Sequence, residues 1–98
     1  MDPQAEKDNY YQLLWNGFQA MTNNPNEETR LLIATNELIN EYIGKFVFSE
    51  IDLLLFMLDL EIIPGPERAK VTLIQTIKLT YLPQGNSSQI TPYSNIIN

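Results

Sequence analysis

The chain has 98 residues, of which 44% are hydrophobic and 18% are charged, a balance typical of one ordinary globular domain. Twelve acidic residues against six basic ones give a formal net charge of −6, which repels the phosphates of free nucleic acid and anionic membrane surfaces. The sequence contains no cysteine and no histidine, which excludes disulfides, thiolate metal sites and catalytic groups built on a thiol or an imidazole.

Location and domain organisation follow from the same features. The first twenty residues lack the basic segment and unbroken apolar run of a secretory signal peptide, and a cysteine-free core needs no oxidising compartment, so we expect a cytoplasmic protein. The length fits one domain, at residues 1–82. Residues 83–98 have two prolines, no charge and no hydrophobic period, which predicts a mobile tail. The alternative is a docking peptide built on Ile90, Tyr93, Ile96 and Ile97.

The first predicted helix covers residues 3–22. Asp2 is a good N-cap and Pro3 suits the first helical position. Apolar side chains then recur on a stripe about 140° wide at roughly 100° per residue, formed by Tyr10, Tyr11, Leu14, Trp15, Phe18 and Met21. We expect these aromatic rings in the core rather than stacked on a ligand. Gly17 lies off the stripe, where a close contact would explain it.

The second predicted helix covers residues 25–43. Asn24, Pro25 and Glu27 have the spacing of an N-cap, a first-turn proline and a capping-box acid. Gly44 stands where a left-handed residue commonly follows a helix. One face of this helix is predominantly apolar, with Leu31, Leu32, Thr35, Leu38, Ile39, Tyr42 and Ile43.

The third predicted helix covers residues 50–62 and is strongly apolar. Ser49 and Asp52 have the spacing of a capping box, and Phe48 and Leu53 that of a hydrophobic staple. Pro64 ends the helix, because the residue before a proline is biased away from helical angles. This helix is well short of the roughly 20 residues that a bilayer span requires, so we predict no membrane insertion.

Two apolar faces alternate with two acidic edges around this helix. Glu50 and Glu61 lie along one edge and Asp52 and Asp59 along the other, with roughly 10 to 16 Å between the members of each pair, too far apart to share a metal ion. The first face comprises Leu53, Phe56, Met57 and Leu60, and the second comprises Ile51, Leu54, Leu55 and Leu58. Three neighbouring helices cover only one face fully, so both sets are candidate partner-binding residues.

The fourth predicted helix covers residues 66–82. Its pattern also alternates as a strand does, but Pro66 opens a helix well and about 16 residues is long for a strand. The fold class predicted is therefore all-α, a small antiparallel four-helix bundle-like domain with a flexible C-terminal tail.

No catalytic, cofactor or metal site is predicted. The chain has no glycine-rich phosphate loop, and its four glycines are isolated from one another. Glu37 and Glu41 share a helix face, but the Glu-x-x-His element of bundle metal sites is missing, and we interpret the pair as surface charge. An enzyme or a small-molecule carrier is the weakest hypothesis, since nothing pairs the remaining catalytic side chains.

Two functions remain. The first is a non-enzymatic protein-interaction or regulatory module that self-associates, as a homodimer, through an apolar face of the third helix. The alternative is an acidic nucleic-acid mimic that occupies the basic groove of another protein, with part of its acidic surface supplied by Glu27, Glu28, Glu37 and Glu41. A DNA-binding helix-turn-helix is disfavoured, because the fourth helix carries few cations.

Overall fold

The computed structural model describes residues 2–82, and the regular secondary structure in this segment is entirely helical. It comprises α1 (Pro3–Asn23), a 3-10 turn (Pro25–Glu27), α2 (Glu28–Phe46), α3 (Glu50–Ile62) and α4 (Glu67–Tyr81). The predicted all-α class is confirmed, and the strand alternative for the fourth segment is wrong. The predicted tail and its alternative as a docking peptide lie outside the described residues.

Side-chain caps fix the starts of α1 and α3 where the sequence predicted them. The carboxylate of Asp2 accepts the backbone N–H two residues further on at 3.2 Å, and Ser49 Oγ accepts the N–H of Asp52 at 3.1 Å. The Asp52 carboxylate in turn accepts the N–H of Phe48 at 2.9 Å, one residue before the N-cap, whereas the predicted capping box has the N–H of Ser49 as donor. The predicted staple is wrong, because Phe48 is 82% exposed whereas Leu53 is buried.

Both predicted ends of α2 need correction. The side-chain amide of Asn24 does not cap the helix; it donates backwards to the Ala20 carbonyl at 3.0 Å, and the Glu27 carboxylate pairs with Arg30. The segment after Asn24 therefore forms a 3-10 turn before α2 begins. At the other end, Gly44 is an exposed residue inside the helix, which continues to Phe46.

The helices of each sequential pair, α1 with α2 and α3 with α4, run antiparallel. Lys45 near the end of α2 donates to the carboxylate of Glu6 near the start of α1, at 2.9 Å. The start of α3, around Leu53, lines a cleft together with Tyr81 at the end of α4. The α3–α4 turn is closed by Lys70, whose buried Nζ donates to a carbonyl in the last turn of α3 at 2.7 Å, a favourable position for a cation.

Helices α2 and α4 run in the same direction. Arg68 at the start of α4 contacts Glu28 at the start of α2, with 3.3 Å between Nη2 and Oε2. Further along the two helices, the Tyr81 hydroxyl donates to Asn40 at 2.7 Å. Since α1 opposes α2 and α3 opposes α4, α1 and α3 are also parallel. The result is the up-down-up-down bundle predicted from the sequence.

All four helices contribute to one apolar core. Its largest fully buried side chains are Phe18, Leu14, Met21, Ile39, Leu60 and Ile77. Of the four aromatic residues predicted in the α1 core, Tyr10 and Phe18 are buried and Tyr11 is half-buried, but Trp15 is 43% exposed. The expectation for Trp15 is therefore wrong, because this ring lies at the outer edge of the apolar stripe.

Gly17 marks the closest approach of α1 to α2. A Cβ atom at this position lies 2.9 Å from the Oγ1 of Thr35, a buried residue of α2. Real Cβ atoms do not approach other heavy atoms so closely, so only glycine fits unless Thr35 moves. A close contact of the kind that explains this glycine is therefore present.

The Gly17 contact predicts that two glycine-to-alanine substitutions change the free energy of unfolding in opposite directions. Gly17→Ala is expected to lower the free energy of unfolding by about 1 kcal/mol, because overpacking outweighs the gain in helix propensity. Gly44→Ala is expected to raise it by roughly 0.5–1 kcal/mol, since nothing lies within 4 Å of the added Cβ. Urea denaturation followed by circular dichroism measures both.

A double-mutant cycle separates packing from propensity at this contact. In a Thr35→Ala background the clash is absent, so Gly17→Ala is expected to become neutral or stabilising. The same destabilisation in both backgrounds contradicts the assigned contact.

Candidate functional site

The two apolar faces of α3 have opposite surroundings. The first face is buried in the core: Leu53, Phe56, Met57 and Leu60. We call it the inner face, and it is not accessible to a partner on the folded chain. The second face points outward, with exposed fractions between 42% and 64% for Ile51, Leu54, Leu55 and Leu58. Of the eight candidate residues, the structure therefore leaves these four available as a surface.

Ile62 belongs to the same surface and was not among the predicted residues. It lies eleven positions after Ile51, which at roughly 100° per residue places both on one side of the helix. Ile62 is 76% exposed. We define the outer face as Ile51, Leu54, Leu55, Leu58 and Ile62. The sequence signal that could have identified Ile62 is the same helical period, continued by one more turn towards the end of α3.

The size of the outer face distinguishes it from ordinary exposed apolar residues. At these exposures, its five side chains present on the order of 600 Å² to solvent, the upper end of the largest apolar patch on a typical monomer. A stable protein–protein contact buries roughly 800 Å² per partner. Other exposed aliphatic residues, such as Ile33 on α2 and Leu79 on α4, lie on different helices. The outer face is thus a coherent surface of nearly interface size.

The edge of α3 that faces α4 is acidic. Glu50 and Glu61 are exposed along this edge. Between α3 and α4 lies a cleft of about 300 Å³, lined by Leu54, Met57, Leu58, Glu61, Ile74 and Lys78. Two outer-face leucines form one wall of this cleft, with one acid and one lysine among the other lining residues.

The edge of α3 that faces α1 is also acidic. Asp52 and Asp59 are partly buried there, beside a cleft of about 340 Å³ that Asp8 and Lys7 of α1 also line. The carboxylate of Asp59 accepts a hydrogen bond from the Tyr11 hydroxyl at 2.6 Å. The outer face is therefore bordered by carboxylates on both sides.

Tyr11 connects this edge to an aromatic cluster. Its ring centroid lies 5.5 Å from that of Tyr42 and 6.1 Å from that of Phe56, and Tyr42 stacks on Phe56 at 4.4 Å. Burial, followed by the hydrogen bond to Asp59, raises the pKa of the Tyr11 phenol well above its ordinary value. This cluster fixes α3 against α1 and α2 and thereby holds the outer face outward.

The raised pKa of Tyr11 predicts a dependence of stability on alkaline pH. The folded chain keeps this phenol protonated above pH 10, where the unfolded phenol loses its proton, so stability falls as pH rises. Tyr11→Phe is expected to cost roughly 1 kcal/mol at neutral pH through the lost hydrogen bond. This deficit is expected to shrink above about pH 10, because the variant has no such phenol to titrate.

Denaturant unfolding at neutral and alkaline pH measures the deficit. Lys45, whose pKa is also raised, by its hydrogen bond to Glu6, titrates in both proteins and cancels in the comparison. A deficit that stays constant with pH contradicts the assigned environment of Tyr11.

Within residues 2–82, no three carboxylates are grouped so as to hold a metal ion. Of the Glu37 and Glu41 pair, Glu41 accepts the Tyr10 hydroxyl at 2.8 Å. This hydrogen bond links α1 to α2.

The four acids considered for a nucleic-acid mimic are mostly engaged within the chain. Glu27 pairs with Arg30, and Glu28 pairs with Arg68. Glu41 accepts a hydrogen bond from the Tyr10 hydroxyl. Two of the four carboxylates are thus paired with arginine cations, which is unfavourable for a decoy that presents free negative charges to a basic groove.

Searches of protein-family models, of curated proteins and of solved structures find no match to this chain. Among the described residues, no helix has both the length and the apolar character needed to cross a membrane.

Proposed function

We propose that the protein is a small, acidic, non-enzymatic protein-interaction module whose contact surface is the outer face of α3. The observation that supports this proposal is the exposure of five large aliphatic side chains on one helix face, in a fold whose core is complete without them. A face that contributes little to its own fold and lowers solubility has its simplest explanation in a partner that covers it.

The energetics are sufficient for such a contact. Covering about 600 Å² of apolar surface at roughly 25 cal/mol per Å² gives a gross gain of about 15 kcal/mol. Association itself costs about 4–15 kcal/mol. The gain from burying the whole face therefore equals or exceeds the cost of association, whereas half of the face gains only about 7.5 kcal/mol, which lies within the range of that cost.

Self-association, nucleic-acid mimicry, the absence of catalysis and a cytoplasmic location are the other expectations from the sequence. Self-association as a homodimer uses the same face, so a second copy of the chain is one outcome of the tests below. No observation favours the nucleic-acid mimic, given the engaged carboxylates of α2. The absence of catalysis and the cytoplasmic location stay predictions from composition.

Site-specific photo-crosslinking tests the proposal. A photoreactive amino acid at Leu55, in the middle of the outer face, is expected to give a crosslinked protein product in cells of the native host. The same amino acid at Ile33, which is 60% exposed on α2, serves as the matched control and is expected to give none.

The crosslink at Leu55 is also expected to disappear when Leu58→Asp interrupts the face. Equal products at Leu55 and Ile33, or no product at either position, overturn the proposal. A product whose mass is twice that of the chain identifies a second copy as the partner.

A further inference from the structure

We propose that the partner of the outer face is a basic amphipathic helix of another protein; this inference rests on the proposed function above. Its basis is the combination of an apolar stripe with carboxylates on both of its borders. Glu50 and Glu61 flank the stripe on the side of α4, and Asp52 and Asp59 flank it on the side of α1.

The nearby cations do not neutralise these borders. Lys78 lies in the cleft towards α4, and Lys7 lies in the cleft towards α1. Lys7 also contacts the face of the Phe46 ring, with its Nζ 5.6 Å from the ring centroid. Lys70, whose Nζ lies 2.7 Å from the Glu61 carbonyl, is a third cation beside α3. Three lysines thus stand against the four carboxylates of α3 and the further carboxylate of Asp8. Asp52 and Asp59 accept hydrogen bonds from a backbone N–H and a tyrosine hydroxyl, but these neutral donors leave the negative charges in place. The rim of the surface is therefore negative, and a partner that presents lysine or arginine at its own rim is complementary.

A second copy of this chain fits the same surface less well. Two antiparallel copies of α3 place like edges together, so that Glu50 of one helix approaches Glu61 of the other. Two parallel copies place the glutamate edge of one against the aspartate edge of the other. Like charges face each other in both arrangements, and such pairs are destabilising. The apolar stripe is self-complementary, but its borders are not.

The shape of the surface favours a helical partner. The segment 2–82 contains no strand, so it offers no sheet edge to which an extended peptide adds. The outer-face residues recur at intervals of three, four and seven along a helix of 13 residues, about 20 Å long. An amphipathic helix of similar length lies along this stripe, with an apolar side chain available to fill the cleft beside Leu54 and Leu58.

Three synthetic peptides of equal length test the proposal with the full chain. The first is an amphipathic helix with a leucine stripe bordered by lysines, and the second has the same stripe bordered by glutamates. The third has the composition of the first in scrambled order, so that it has no stripe. Fluorescence anisotropy gives their dissociation constants. The lysine-bordered helix is expected to bind at least about tenfold more tightly than either of the others, and raising the salt concentration is expected to weaken it several-fold.

Variants of the chain connect this binding to the surface. Leu58→Asp is expected to weaken the lysine-bordered peptide at least about tenfold, whereas Leu79→Asp, at a 70% exposed position on α4, leaves the affinity unchanged. Glu61→Gln is expected to weaken it roughly threefold and to flatten the salt dependence, whereas Glu37→Gln on α2 has no effect.

The outcomes separate this inference from the proposed function. Equal affinity for the lysine-bordered and glutamate-bordered helices overturns the basic partner, and equal affinity for the scrambled peptide overturns the amphipathic helix. If the chain forms a dimer and Leu58→Asp dissociates that dimer, the face binds a second copy and the basic partner is also overturned. If no peptide binds but the Leu55 crosslink is still formed, this inference is overturned and the proposed function is not. Absence of that crosslink removes the proposed function and this inference together.

Discussion

Phe56→Asp is expected to unfold the chain. The Phe56 ring is 2% exposed and stacks on Tyr42 with 4.4 Å between the ring centroids. An aspartate there places a carboxylate in an apolar site and removes the central ring of the aromatic cluster, at a cost of roughly 5 kcal/mol or more. The total stability of a small domain is only about 5–15 kcal/mol. Circular dichroism is expected to show lost helicity and no cooperative thermal transition.

Leu58→Asp is the matched substitution, two residues along the same helix. Leu58 is 55% exposed, so its aspartate remains in water and the free energy of unfolding is expected to change by less than about 1 kcal/mol. The two variants therefore differ in fold but introduce the same charge. If both unfold, α3 is enclosed on both sides in solution and the outer face is not a surface. If neither unfolds, the inner face is not part of the core.

Gly65→Ala is expected to destabilise the fold by about 2–3 kcal/mol. An added Cβ lies 2.9 Å from the Cβ of Phe18 and 3.1 Å from its Cδ1, and Phe18 is fully buried in the core. The backbone of Gly65 lies outside the left-handed region, so the cost comes from space alone. For a domain of this size, the midpoint of thermal unfolding is expected to fall by roughly 10 °C or more.

The turn that carries Gly65 has little freedom to retreat. The Gln19 side-chain amide of α1 donates to the Pro64 carbonyl at 3.0 Å, which holds the turn against Phe18. Gly44→Ala provides the control, because an identical substitution in open space is expected to stabilise the chain. A midpoint for Gly65→Ala equal to that of the unmodified chain contradicts the close contact between this turn and α1.

The starts of α1 and α3 were predictable because the signals are local. Asp2 and Ser49 each satisfy a backbone N–H two or three residues away, and the sequence alone specifies such contacts. The start of α2 was not predictable in this way, because the Asn24 side chain has a competing acceptor in the last turn of α1. The predicted end of α2 at Gly44 was wrong for a related reason: a glycine permits a helix to end but does not require it.

The candidate site was predictable in composition but not in orientation. Projection at roughly 100° per residue separated the two apolar faces of α3 correctly. Both faces consist of large apolar residues, so composition does not determine which one packs inward. That choice depends on long-range contacts, namely the stacking of Phe56 on Tyr42 and the bond between Tyr11 and Asp59. These residues lie up to 48 positions apart in the chain.

The partial exposure of Trp15 limits its use as an optical reporter of unfolding. Trp15 is the only tryptophan of the chain and lies outside the core, so its indole already contacts water in the native state. Because unfolding exposes this ring by a smaller fraction than a buried tryptophan, we expect its emission to shift less than that of a core indole. Far-ultraviolet circular dichroism, which follows the four helices directly, is therefore expected to report unfolding more clearly than tryptophan fluorescence.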